Sequence, residues 1–171
     1  SVYIESLGTG LLIDAGFSGK EIEKRLYSIG KSLSDVSAIC VTHDHHDHIR
    51  GVGVLSRRIK APVHANIGTF KGAEKRIGAL SDFREFETGT EFAVKGLLIR
   101  SFSVSHDTND PVGFVVSDGK TSLGYCTDTG KVSHLIAARL ARCSGLILEF
   151  NHNLELLKNG PYPLPLQQRV R

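Results

Sequence analysis

Val36-Ser37-Ala38-Ile39-Cys40-Val41, followed at once by Thr42-His43-Asp44-His45-His46-Asp47-His48, is the stretch from which the fold is read. The apolar run has the length and content of a buried strand. The polar cluster then sits at that strand's C-terminal end, where α/β folds place their chemistry. Four imidazoles and two carboxylates in six consecutive positions supply the nitrogen and oxygen donors that divalent transition metals take. His43 and His45 are two apart, so an extended segment points both to one side and turns Asp44 away. Asp47 and His48 diverge, which suits a second ion or a carboxylate that orients water beside the first. Two divalent ions about 3.5 to 4 Å apart need a shared anion and generally a bridging carboxylate, so a further His and Asp are expected downstream. Ser105-His106-Asp107 follows the apolar segment 97–104, and Thr127-Asp128-Thr129-Gly130 follows 122–126.

The pattern His43-x-His45-x-Asp47-His48, then His106, then Thr127-Asp128, resembles the metallo-β-lactamase superfamily of metallohydrolases. Leu12-Ile13-Asp14-Ala15-Gly16, the segment from His48 to Leu55, and Glu149-Phe150-Asn151-His152 are similar to its bacterial YycJ/WalJ branch. Members of that branch are described as 5′-to-3′ exonucleases or phosphodiesterases linked to DNA repair and cell-wall homeostasis. The resemblance implies an α/β fold, a four-layer αββα sandwich, holding two divalent ions. His43, His45 and His106 would bind the first, Asp47 and His48 the second, and Asp128 would bridge them. Zinc is the ion expected from the histidine-rich shell, with manganese a competitor through the carboxylates. The ions would lower the pKa of a bound water, with Asp47 in the catalytic set. Glu149 and His152, just after a predicted strand, would orient or protonate a leaving oxygen. Proteins of this kind usually begin with one more strand and continue to a further histidine. Residues 1–171 are therefore expected to be one domain lacking segments at both ends.

The 171 residues, 40% apolar, suffice for one sizeable core. No run approaches the roughly 18 apolar residues of a membrane span, and no charged-then-apolar leader is visible, so a cytoplasmic protein without membrane contact is expected. Cys40, Cys126 and Cys143 are odd in number and the first two lie in apolar strands, which predicts reduced thiols rather than disulfides. A net charge of +3 does not by itself predict nucleic acid. Its distribution is more suggestive: Arg57, Arg58 and Lys60 with Lys71, Lys75 and Arg76 would form a basic lip suited to a phosphate backbone.

Residues 2–5 and 11–14 read as a hairpin around Leu7-Gly8-Thr9-Gly10. Asp14 is expected to support backbone near the cluster. Ser18 and Glu21 form a capping-box pattern for a helix carrying Ile22, Leu26 and Ile29 up to Gly30. A short helix over 51–60, a strand over 61–65 ending near His64, and a helix over 67–77 follow. Segments 83–86, 88–96 and 97–104 suggest an antiparallel meander delivering His106. A hairpin of 111–117 with 121–126 delivers Asp128, and a helix over 132–143 precedes a strand over 145–150. Two sheets flanked by helices, with the metal site on one edge, accommodate this order. The expected function is a DNA phosphodiesterase or 5′-to-3′ exonuclease. The alternatives are a small-molecule hydrolase of thioesters, lactones or β-lactams, and a metal-binding scaffold without turnover.

Overall fold

The first hairpin is tighter than the sequence suggests. β1 (Val2–Ser6) and β2 (Thr9–Ile13) turn on Leu7 and Gly8 alone, both at positive φ (51° and 69°), the twist that a two-residue loop needs. In this computed structural model, which describes residues 1–149 together with 155, 159–161, 163 and 164, α1 (Gly19–Ser28) comes next. Ser18 caps it by accepting from the Glu21 N–H at 3.3 Å, but only half of the capping box forms. The Glu21 carboxylate instead takes Arg25 one turn on, at 2.9 Å.

After a 3-10 turn (Leu33–Asp35) the chain enters β3 (Val36–Cys40), then α2 (His46–Ile49), α3 (Val52–Ile59), β4 (Val63–Ala65), α4 (Ile67–Ile77) and β5 (Phe83–Glu85). These strands form one sheet in the order β1-β2-β3-β4-β5, parallel except for β1. The expected meander is wrong at β5, which pairs parallel with β4 and not with the strand that follows it. The cause is α4: a helical crossover returns the chain to the end where β4 began, so the next strand aligns with β4.

The second sheet is β6 (Glu91–Val94), β7 (Leu97–Ser103), β8 (Val112–Ser117) and β9 (Ser122–Cys126), all antiparallel. α5 (His134–Leu140) then carries the chain back, so that β10 (Gly145–Leu148) runs parallel to β9. α5 is shorter than the expected 132–143 because the Ser133 hydroxyl caps it, accepting from the Ile136 N–H at 3.2 Å.

Alternation along the strands sorts the side chains into three apolar layers. Leu12, Ile39 and Val63 face Ile22, Leu26, Val52, Leu55 and Ile77 of the helices α1, α3 and α4. Their neighbours Leu11, Ile13, Ala38 and Cys40 point the other way, onto Leu97, Ile99, Phe114 and Val116 of the second sheet. On the far side of that sheet, Phe102 and Cys126 pack on Ile136 and Leu140 of α5. Helix, sheet, sheet and helix are therefore stacked as the expected four layers. Each fully buried Leu, Ile or Phe contributes about 1.5 to 3 kcal/mol, so the middle layer holds the two sheets at a defined offset. That offset fixes how the loops at the C-terminal ends of β2, β3, β7, β9 and β10 meet. Cys40 and Cys126 are buried and all three cysteines are free thiols. Among the described residues no helix is long and apolar enough to cross a membrane.

Candidate metal centre

Asp14 leaves the end of β2 in the left-handed region (φ 57°) and is fully buried. Its Oδ1 accepts from the Thr42 backbone N–H at 2.8 Å, and its Oδ2 from the Thr42 hydroxyl at 2.9 Å. The same Oδ2 lies 2.8 Å from His48 Nδ1. These contacts decide two tautomers. A carboxylate only accepts, so His48 carries its proton on Nδ1 and turns a lone pair outward on Nε2. The Thr42 hydroxyl spends its one hydrogen on Asp14, so towards His43 Nδ1, at 2.9 Å, it must accept. His43 therefore also bears its proton on Nδ1. Its Nε2 is buried and has no hydrogen-bond partner among the described residues. Such a lone pair is costly to leave unmet, and it points at the place where the other ligands gather.

The rings of His43, His45 and His106 make a triangle with centroids 4.8 to 4.9 Å apart, each pair edge to face. His106 Nε2 is 3.1 Å from His45 Nδ1. Nitrogens bound about 2.0 Å from a tetrahedral zinc sit roughly 3.3 Å from one another, so the spacing suits a shared ion. Two sets can hold a metal, with candidate donor atoms all within 4.8 Å: His43, His45 and His106, and His43, His48 and Asp128. His43 is common to both. Asp128 Oδ2 lies 3.4 Å from His48 Nε2, while Asp47 Oδ2 stands 3.7 Å from that nitrogen on a largely exposed side chain at the mouth. Asp47 thus borders the second set without joining it.

Burial first, then the neighbouring His48, His106 and His45, press the His43 pKa down to about 3 against the pull of Asp14, so it is a neutral donor at physiological pH. Burial also pulls His48 down, but the hydrogen bond and charge of Asp14, joined by Asp128 and Asp47, outweigh it and raise its pKa.

Asp128, like Asp14, is a non-glycine residue at positive φ (55°). Its backbone N–H donates to Glu149 Oε2 at 2.5 Å, and the neighbouring Gly130 N–H donates to Ser105 O at 2.8 Å. Glu149 therefore touches the site through the backbone of Asp128. His152 lies outside the described residues. Asp44 turns away from the cluster, as its spacing predicts, and pairs with Arg76 at 3.0 Å; His46 is exposed. The basic lip is only partly assembled. Arg58 is tied to Glu23 at 2.6 Å, and Arg57 Nη1 to the carbonyl oxygens of Ile77 and Ala79, so both serve the fold. Thr42 is the participant that sequence spacing misses, since nothing local distinguishes it from any threonine beside a strand.

Seven residues from β2, the cluster and both later loops thus converge at one edge. The sequence profile of the beta-lactamase superfamily domain matches residues 9–162. The chain is 34% identical over 171 residues to the exodeoxyribonuclease YycJ of Bacillus anthracis. It is 37% identical over 174 residues to the exodeoxyribonuclease WalJ of Streptococcus pneumoniae. Each alignment takes in 99% of this chain and 65% of the relative, so the chain spans just under two thirds of those proteins. Zinc-bound PqqB of Methylobacterium extorquens superposes with a TM-score of 0.75 at 16% identity, over 94% of this chain and 64% of that one. Four stacked layers, a histidine and aspartate cluster at their edge, and a profile match across most of the length agree: the chain belongs to the metallo-β-lactamase superfamily.

Proposed function

We propose that this chain is a metal-dependent phosphodiesterase, a 5′-to-3′ exodeoxyribonuclease that degrades DNA with two divalent ions. The observation that carries the proposal is the identity of 34% and 37%, across 99% of the chain, to two proteins named exodeoxyribonucleases. The likeness to lactamase structures is below a quarter identical and speaks to the fold alone, so hydrolysis of thioesters, lactones or β-lactams has less support.

The residues fit the ions on the structure's own terms. Among the described residues His43 Nε2 has no hydrogen-bond partner, and the 3.1 Å approach of His45 Nδ1 to His106 Nε2 and the Nε2 of His48, facing Asp128, gather further donor atoms beside it. His43, His45 and His106 would hold one ion. His48 and Asp47 would hold the other, with Asp128 shared. Divalent ions there would supply positive charge against a reacting phosphoryl group and make a water nucleophilic near neutral pH. Asp14 keeps the lone pairs of His43 and His48 facing the site, directly and through Thr42. Glu149 holds Asp128 where its carboxylate can lie between the two sets. Asp47, exposed beside His48, would turn inward to serve as a ligand or to accept a proton. Imidazoles favour zinc and the two carboxylates admit manganese. Lys71 and Lys75 are exposed on α4, the helix whose Arg76 pairs with Asp44, and would supply positive charge for a phosphate backbone. A DNA substrate makes the cytoplasm the proposed compartment.

The test is 5′- or 3′-end-labelled single- and double-stranded DNA, with zinc or manganese and at several salt concentrations. Nucleotides should be released from the 5′ end, and DNA affinity should fall steeply with salt. Asp47→Ala should lower turnover by about a hundredfold or more without altering the circular dichroism spectrum. Intact DNA alongside salt-insensitive hydrolysis of a small ester would overturn the proposal.

A further inference from the structure

Both loops that complete the three-histidine set lean on the same helix. At the start of α4, Asn66 is buried; its Oδ1 caps the helix by accepting from the Thr69 N–H at 2.8 Å. Its Nδ2 reaches across to donate to Asp110 O at 2.7 Å and to Thr88 Oγ1 at 2.9 Å. The Thr88 hydroxyl in turn donates to Asp110 Oδ2 at 2.8 Å. Asp110 ends the loop that carries His106. Further along α4, Arg76 Nη2 donates to Asp44 Oδ2 at 3.0 Å, and Asp44 is the residue between His43 and His45.

The composition of the helix agrees with this arrangement. Gly68 and Gly72 sit inside α4, where each costs about 1 kcal/mol against alanine. They are four residues apart, on one face and roughly 6 Å apart along the axis. A Cβ on Gly68 would meet Asp110 Cβ at 2.8 Å, and one on Gly72 would meet the Asp44 carboxylate at 2.4 Å. The two ligand loops therefore lie side by side against the bare backbone of one helix turn, each fastened by a side chain of that helix.

We propose that α4 sets the spacing of His45 and His106, with Asn66 and Arg76 as positioning residues for the ion these histidines share. The inference rests on the reading of that set as a metal site. The packed sheets and the Val112 N–H to Thr42 O hydrogen bond (3.0 Å) bring the two segments together at their bases, and the helix fastens them further out, beside Asp44 and Asp110. Neither Asn66 nor Arg76 touches the ion; each acts through the loop it fastens.

Cobalt(II) is the probe, since its visible spectrum reports coordination without any substrate. Affinity is measured by competition with a chelator in the full-length protein, for Asn66→Ser, Arg76→Ala, Arg76→Lys and Arg58→Ala. Serine keeps an N-cap acceptor and loses the reach to Asp110, so helix stability and loop fastening separate. Asn66→Ser and Arg76→Ala should each weaken cobalt binding roughly tenfold or more and diminish the tetrahedral absorption bands. Arg76→Lys should recover part of the loss, and Arg58→Ala, on the pair with Glu23, should change nothing. Arg76 is exposed, so its variants fold even where Asn66→Ser does not. Parent affinity and parent spectrum in both Asn66→Ser and Arg76→Ala would overturn the inference while leaving the metal site standing. Failure of the unsubstituted protein to take cobalt at all would overturn both.

Discussion

His64 shows how a single side chain couples the fold to pH. It sits in the middle of β4, not at its end, with its ring stacked on Phe92 of the other sheet, 4.8 Å between centroids and 10° from parallel. Burial, with Arg84 adding and Asp82 opposing, lowers its pKa to about 4. The unfolded value is near 6.5, so the fold disfavours the charged form. The contribution to stability is thus complete above about pH 6.5 and is lost as pH falls from there towards 4. In metal-free protein, urea midpoints at pH 7 and pH 5 should differ, and His64→Phe should narrow the difference. It should not abolish it, because His43 titrates in the same sense; His48, whose pKa is raised, opposes both. An unchanged difference in His64→Phe would refute the assignment. Residues are legible in sequence when their partners are near. The cluster at 43 to 48 declares itself, and Asp14 follows from its place at a strand end. The stacking of His64 on Phe92 and the proton logic of Thr42 do not, because each depends on a neighbour brought up from a distant segment.

The elements tell the same story at the next scale. Strand and helix periodicity located β2, β3, α1 and α4, since alternation and caps are written within a few residues. The parallel partner of β5 was not visible, because three residues of strand carry no record of which neighbour they join. One packing relation between elements is sharp enough to test. Ala15 N–H donates to His48 O at 2.8 Å and Gly51 N–H to Ala15 O at 2.6 Å, lacing the segment after β2 to the turn of α2. A Cβ on Gly16 would fall 1.5 Å from Asp47 O, a backbone atom that cannot rotate away. Gly16→Ala must therefore push α2, carrying Asp47 and His48, off the Asp14 hydrogen bond. The expected cost is about 1 to 3 kcal/mol in unfolding free energy, with weaker metal binding. Chemical denaturation and metal titration check both, and a variant as stable as the parent would show that the segment is free to part from α2.

For the molecule as a whole, the site is also a fastening between its two sheets. His43, His45 and His48 hang from loops of the first sheet, and His106 and Asp128 from loops of the second. The middle apolar layer holds the sheets together along their faces; at this edge the Val112 N–H donates to Thr42 O at 3.0 Å, and His106 meets the rings of His43 and His45 with centroids 4.8 Å apart. A metal that binds the folded edge and not the unfolded chain must stabilise the fold by mass action, about 2.7 kcal/mol at a hundredfold excess over its Kd. At roughly 2 to 4 °C per kcal/mol for a chain of this size, stripping the metal should lower Tm by about 5 to 11 °C. Scanning calorimetry of chelator-treated protein, before and after zinc or manganese is restored, measures this directly. The source of the shift is checked with His106→Ala, which removes the second sheet's contribution to the three-histidine set: its Tm should respond less to added metal than the parent's. A full response in that variant would mean that His106 is no part of the metal site and that the three-histidine set does not join the two sheets.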